Sequence, residues 1–370
     1  MKYYIIAGEA SGDLHASNLI GELKKLDSNA VVRGWGGDMM QMQGTEIVKH
    51  YRDLAFMGFI EVIANLRTIL QNIRYCKEDI LNFNPDVIIL VDYPGFNLRI
   101  ASFAKMKGFK VFYYISPQVW AWKQSRVQQI KKHVDKMFVI LPFEEKFYST
   151  FDYKVDFVGH PLLDAIGQMQ SDKKLFRKKN NLSDKPIVAL LPGSRQQEIS
   201  TMLPLMLSVK NDFPDHQFVV GAAPSVHHGF YDRLIKNNDV KIVTGQTYDL
   251  LENSEAALVT SGTATLETAL FEVPEVVCYK GNKLSYLIAR SLVKVDYISL
   301  VNLIMEKEIV KELIQDELNK EDLGRELQKL LFDKSHREKL ISDYKILKQQ
   351  LGGSGASAKT ARLMYSYITS

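Results

Sequence analysis

Ala256-Ala-Leu-Val-Thr-Ser-Gly-Thr-Ala-Thr-Leu-Glu-Thr-Ala-Leu270 joins an apolar strand, a loop of tiny residues and a helix that opens at once, with a carboxylate in its first turns. Small residues from Thr260 to Thr265 let an anion approach the free backbone N–H groups at the positive end of that helix. Glu267 is spaced to accept hydrogen bonds from a ribose diol. The pattern suits a nucleotide diphosphate, and it equally suits a βα turn whose Ser and Thr only cap a helix. Its companions elsewhere in the chain have to choose.

Working outward, the stretch is one of a series. Ile187–Leu191, 217–221, 240–243 and 275–279 are further short apolar runs, and 3–7, 31–34, 87–91, 111–115 and 137–141 form an earlier set, with helical-period segments between. Such alternation predicts parallel βαβ winding, an α/β fold. At 370 residues the chain exceeds the ~250–300 at which a single core stops growing. Two doubly wound domains facing a cleft are expected: 1–165 and 186–350, with a polar stretch from Gln168 to Lys185 as helix plus linker. From Leu303 onward the pattern reads as helical. The glycines of Leu351-Gly-Gly-Ser-Gly-Ala356 allow a change of direction, so a last helix, 356–370, is expected to return to the first domain.

Ala189-Leu-Leu-Pro-Gly-Ser-Arg-Gln-Gln-Glu-Ile199 puts Ser194 and Arg195 directly after the first strand of the second domain, where ligands of such sheets bind. The Arg195 guanidinium is permanently charged and shaped for phosphate oxygens. Together with the 260–267 loop it favours nucleotide binding over a structural Arg and Glu. Glu198 reads as a helix surface or capping residue.

In the first domain, Ile6-Ala-Gly-Glu-Ala-Ser-Gly-Asp-Leu-His15 is again strand, Gly-rich turn and helix, but it is neither GxGxxG nor GxxxxGK[ST]. Glu9, Ser11 and Asp13 either face the cleft or, for Ser11 and Asp13, cap a helix. Val87-Ile-Ile-Leu-Val-Asp-Tyr-Pro-Gly-Phe-Asn97 ends a continuous apolar strand in Asp92, at a position where a partly desolvated carboxylate can take a proton from a hydroxyl. The plainer reading has Asp92 satisfying loop amides and Asn97 capping the next helix. Trp120, Trp122, Lys123 and Arg126 cluster around Ser116-Pro-Gln, which suits sugar stacking and anion contact as well as a packed loop. Leu54 to Leu70, with Met57 and Phe59 and flanked by Arg52, Arg67 and Arg74, suits acyl chains, a membrane surface or interdomain packing. His160, between Gly159 and Pro161, reads as structural.

Composition narrows the classes. A net charge of +4 is too weak to imply nucleic acid but compatible with phosphate-bearing substrates or an anionic membrane surface. Cys76 and Cys278 alone make neither a disulfide framework nor a zinc site. No plausible carboxylate pair for a metal appears, so phosphate charge is expected to fall to Arg195 and helix N-termini, with no cofactor. The first apolar run is short for a signal peptide, and no later one approaches the ~18 residues of a spanning helix. A cytoplasmic protein with at most peripheral membrane contact is expected.

Gly8-Glu-Ala-Ser-Gly-Asp13, Met57-Gly-Phe-Ile-Glu-Val62, Asp92-x-Pro-x-Phe-Asn97, Ser116-Pro-Gln-Val-Trp-Ala-Trp122, Leu191-Pro-Gly-Ser-Arg195 and Ser261-Gly-Thr-Ala-Thr-Leu-Glu267 occur in this order. Together with Ser299–Ile304 and Val310–Gln315 they closely resemble the lipid-A-disaccharide synthase family over nearly the whole chain. The resemblance implies a GT-B glycosyltransferase that inverts configuration, moving 2,3-diacylglucosamine from UDP to 2,3-diacylglucosamine 1-phosphate (lipid X). It implies Asp92 as base and, on the UDP side, Ser194, Arg195, Gly262, Thr263, Thr265, Glu267 and Asn302. On the acceptor and lipid side it implies Glu9, Ser11, Met57, Phe59, Asn97, Trp120, Trp122, Lys123 and Arg126. It also implies peripheral association with the cytoplasmic face of the inner membrane, and it admits a homodimer. Some members carry a second acidic residue where this chain has Gly95, so Asp92 would act alone. A UDP-sugar epimerase of the same architecture and a nonenzymatic UDP-sugar-binding protein are the competing readings.

Overall fold

The computed structural model describes residues 1–54, 66–122, 124–167, 172–235, 240–282, 286 and 296–370. The chain divides into two compact units, Met1–Asp164 with Leu351–Ser370, and Ala165–Gln350.

Among the described residues the first unit holds β1 (Lys2–Ala7), β2 (Val31–Gly36), β3 (Glu46–His50), β4 (Val87–Val91), β5 (Lys110–Tyr114), β6 (Lys136–Val139) and β7 (Asp156–Phe157). They form one parallel sheet in the order β3-β2-β1-β4-β5-β6-β7. The second unit holds β8 (Ile187–Leu191), β9 (Gln217–Ala222), β10 (Lys241–Thr244), β11 (Ser254–Thr260), β12 (Glu275–Tyr279) and β13 (Lys311–Ile314). These are parallel in the order β10-β9-β8-β11-β12-β13.

Helices cover both faces of a parallel sheet, so its inner strands are apolar throughout rather than alternating. β4 (Val-Ile-Ile-Leu-Val) and β8 (Ile-Val-Ala-Leu-Leu) are buried at every position. Truncating one such residue, Ile89→Ala for instance, costs about 2–5 kcal/mol. One polar network crosses the first core: the Tyr4 hydroxyl donates to Asp79 (2.7 Å) and accepts from Trp35 Nε1 (3.1 Å), while Arg33 donates to the same carboxylate.

Three strands escape the sequence patterns. β3, β7 and β13 lie at sheet edges, where short, polar sequences such as Lys-Glu-Leu-Ile are tolerated. β13 corrects the reading of everything past Leu303 as helical. The stretch read as a linker also has a home: the helix Lys173–Lys179 is capped by Asp172 and buries Phe176 in the second core.

The last helix, Ala356–Thr369, packs on the helix Ala10–Leu26 and belongs to the first unit. Asp164 holds its start by accepting from the N–H groups of Gly355 and Ser357, the latter at 2.8 Å. Lys110 Nζ reaches the Tyr367 carbonyl (2.7 Å) near the other end. Replacing Asp164 by Ala should cost about 1 kcal/mol, the usual loss on removing a helix cap, read as a lower urea midpoint.

Candidate active site

Each sheet reverses its strand order once, between β1 and β4 and between β8 and β11. The loops leaving two such neighbours diverge to opposite faces, and the crevice opens at their carboxyl ends. In the first unit those ends carry Gly8-Glu9 and Asp92-Tyr93.

Asp92 and Tyr93 both adopt left-handed conformations (φ 45° and 49°), a cost of about 1–3 kcal/mol each for residues with side chains. Their surroundings hold them there. The Asp92 N–H donates to the Tyr114 carbonyl (3.0 Å), and the Asp92 carbonyl accepts from Asn97 Nδ2 (2.8 Å) and the Tyr113 hydroxyl (2.5 Å). Gly8 packs under the Tyr93 ring so closely that a Cβ would lie 2.3 Å from it. The corner therefore projects the Asp92 side chain beside Glu9. Burial, and secondarily the negative charge of Glu9, raise the Asp92 carboxyl to about 7.

The other first-unit residues separate into exposed and structural groups. Glu9 and Ser11 are exposed at the start of the helix Ala10–Leu26. Asp13 is buried and accepts from the N–H groups of Gly37 (2.7 Å), Met39 and Met40, so it caps the helix Asp38–Met42. Trp122 is 44% exposed with the Arg126 guanidinium 5.7 Å from its ring centre. Two expectations need correction. Asn97 has no exposed surface, and its amide also donates to the Val91 carbonyl (3.2 Å), because the helix Pro94–Met106 turns it inward under the corner. Trp120 is buried edge-on against Phe143 (5.0 Å), a packing role. Met57, Phe59 and Lys123 lie outside the described residues.

No sequence pattern pointed to Glu144 and Tyr148. The buried Glu144 carboxylate accepts from Ile140 N (3.2 Å) and Leu141 N (2.9 Å), and burial raises it to about 7. Tyr148 pairs its hydroxyl with Ser116 Oγ at 2.6 Å, which fixes the start of the loop bearing Trp122.

In the second unit, the β8 end runs through Gly193, whose φ of 110° suits glycine, and where a Cβ would lie 2.8 Å from a Glu198 oxygen. Glu198 accepts from Ser194 N (3.3 Å) and Arg195 Nη1 (3.2 Å), so it shapes this loop. Ser194 and Arg195 remain exposed. At the β11 end, Gly262 and Thr263 are exposed at the start of the helix Thr263–Leu270. A Cβ on Gly262 would meet nothing within 4 Å, so no packing inside the protein demands a glycine there. The first N–H groups of a helix have no intrahelical partner and suit an anion. Glu267, its pKa raised by burial, accepts from the Tyr248 hydroxyl (3.0 Å).

Two residues expected to contact a nucleotide are buried in the unit. Thr265 is fully buried and donates to the Gly262 carbonyl (2.8 Å). Asn302 is fully buried; its amide donates to Val310 O and Glu312 Oε1 (both 2.9 Å) and accepts from Ile309 N (2.7 Å) and Val310 N (3.0 Å). No group of three or more His, Cys, Asp or Glu placed as metal ligands occurs among the described residues.

The family model described as lipid-A-disaccharide synthetase matches residues 3–364. A lipid-A-disaccharide synthase from Syntrophus aciditrophicus is 40% identical, over 98% of this chain and 97% of its own length. One from Geobacter sulfurreducens is 36% identical, over 98% and 96%.

The chain belongs to the lipid-A-disaccharide synthase family.

It is a glycosyltransferase of lipid A disaccharide synthesis. Solved structures of lower identity share its GT-B fold. A Neisseria meningitidis UDP-GlcNAc 2-epimerase bound to UDP-GlcNAc has a TM-score of 0.70 at 14% identity, covering 99% of this chain and 100% of its own. The glycotransferase of kitacinnamycin has a TM-score of 0.67 at 14% identity, covering 99% of each. At such identities the likeness concerns the fold; the synthase relatives decide the activity. For this synthase-family chain, Asn97→Ala should cost about 1–3 kcal/mol in urea denaturation, since it strips a donor from buried carbonyls. Asn97→Asp should cost at least as much, because a carboxylate faces the same carbonyls with no proton to donate.

Proposed function

We propose that the protein transfers 2,3-diacylglucosamine from its UDP donor to the 6-hydroxyl of lipid X, with Asp92 as the general base. The observation that carries this is a half-buried carboxylate at the sheet's switch point, raised to about 7. A general base works best when its pKa lies near the working pH. Asp92 takes the hydroxyl proton as that oxygen attacks the anomeric carbon from the side opposite UDP. The anomeric C–O bond to the diphosphate breaks, and the configuration inverts.

The leaving diphosphate takes its charge to Arg195 and to the N–H groups at Gly262 and Thr263, while Glu267 accepts from the ribose. Thr265 and Asn302 support that loop from behind. On the acceptor side, Glu9, Ser11 and the Trp122–Arg126 pair provide polar and aromatic surface, and Arg126 suits the 1-phosphate. The helix Leu66–Phe83 exposes Leu70, Tyr75 and Leu81 beside Arg67 and Arg74, which supports peripheral contact with the cytoplasmic face of the inner membrane. No helix among the described residues is long and apolar enough to cross a membrane.

Two measurements test the base. Only ionised Asp92 accepts a proton, so kcat/KM should rise with pH to a plateau with a midpoint near 7, and Asp92→Asn should lose the rise and at least ~100-fold in rate. The raised pKa also means that folding disfavours the charge; the stability contribution is full at low pH and is lost as pH rises through about 7. Asp92→Asn should therefore match the parent at about pH 3, where the carboxyl is protonated folded and unfolded, gain on it as pH rises from about 4 to about 7, and keep that gain at about pH 9. Near-normal turnover by this variant would exclude Asp92 as base. Arg195→Ala should raise the donor KM by roughly tenfold or more, the worth of a charge-assisted bond to phosphate, with folding unchanged.

A further inference from the structure

Glu312 lies in the edge strand β13, and its side chain is buried. Its carboxylate gathers four hydrogen bonds from one short segment. Oε1 accepts from Ser299 N (2.9 Å), Ser299 Oγ (2.7 Å) and Asn302 Nδ2 (2.9 Å); Oε2 accepts from Ile298 N (3.0 Å). Ser299 passes the constraint on, since its Oγ also accepts from Asn302 N (3.3 Å) and starts the helix Leu300–Met305. That helix packs against Thr263–Leu270.

The segment so held meets the Ser261–Glu267 loop through a hydrogen bond. The Ile298 carbonyl accepts from Ser261 Oγ (3.0 Å), while Ser261 N donates to Cys278 O (3.0 Å). Ser261 immediately precedes Gly262 and Thr263. A continuous chain of hydrogen bonds thus runs from Glu312 through Ile298 to the loop, and the carboxylate itself is too deep to meet a ligand.

We propose that Glu312 is a positioning residue for the donor: by locking Ile298–Asn302 it sets Ser261 and the exposed N–H groups beyond it, and so sets affinity for the UDP moiety without touching it. The inference rests on the reading of the 261–267 loop as the donor-phosphate site. A shell of this kind typically decides whether a preorganised site holds its geometry.

Glu312→Gln keeps the volume and the Oε1 acceptor but points an amide at the Ile298 N–H, two donors face to face. The donor KM and the UDP dissociation constant from calorimetry should each rise about tenfold, with the acceptor KM within about twofold and the thermal midpoint within a few degrees. Ser261→Ala should raise the donor KM as well, and the double variant should be no worse than the poorer single, because both break one chain. Glu312→Asp, which keeps the charge, should recover part of the loss. If Glu312→Gln fails to fold, Ser299→Ala carries the same expectation at about threefold. A folded Glu312→Gln with unchanged donor KM, equal rises in both KM values, or losses that add in the double variant would each overturn the proposal. Arg195→Ala separates the two layers: if it raises the donor KM while Glu312→Gln does not, the positioning role alone is wrong. If neither moves the donor KM, the donor-site reading falls and takes this inference with it.

Discussion

Among the described residues every strand pairs in parallel, so every strand ends at the same edge of its sheet. Backbone groups and loops therefore accumulate at one edge, and the single reversal of strand order opens space for a ligand there. In each unit the reversal falls between two strands that end in polar or small residues: β1 and β4 lead into Glu9 and Asp92, and β8 and β11 lead into Arg195 and the Gly262 loop. Everything proposed about the reaction follows from that arrangement of strand ends.

Carboxylates in this chain divide by what surrounds them. Asp92, Glu144 and Glu275 are pushed up chiefly by burial, because the charged form is poorly solvated there. Glu275 shows the extreme, with neither oxygen hydrogen-bonded among the described residues. Glu312 and Asp13 are buried as well but sit in rings of N–H donors. Asp92 is half-buried at a strand end, whereas Glu144, Glu312 and Asp13 accept from backbone N–H groups and so organise loops.

Much of the fold was legible because central parallel strands are buried on both faces and must be apolar throughout. Edge strands carry no such requirement, which is why Glu46–His50 and Lys311–Ile314 left no mark. The site divides similarly. Asp92, Arg195 and the Gly262 loop stand out as candidates because a polar or tiny residue directly after an apolar strand is conspicuous. Asn97, Thr265 and Asn302 belong to the same motifs but are buried in the fold, since a motif does not record which way a residue points. Glu144 stands in an ordinary-looking segment and Glu312 in a motif that gave it no role, and only folding brings them to the loops they hold.

The sequence by itself determined the parallel α/β architecture, the strand-end loops and the family, because these depend on local apolar runs and on ordered motifs. The tertiary structure decided which polar side chains stay exposed at the strand ends and which are consumed in holding the backbone. That distinction depends on hydrogen bonds between residues far apart in the chain, such as Tyr113 to Asp92 or Ser261 to Ile298. Such partners become neighbours only when the sheet assembles, and the left-handed corner at Asp92 exists only while they do.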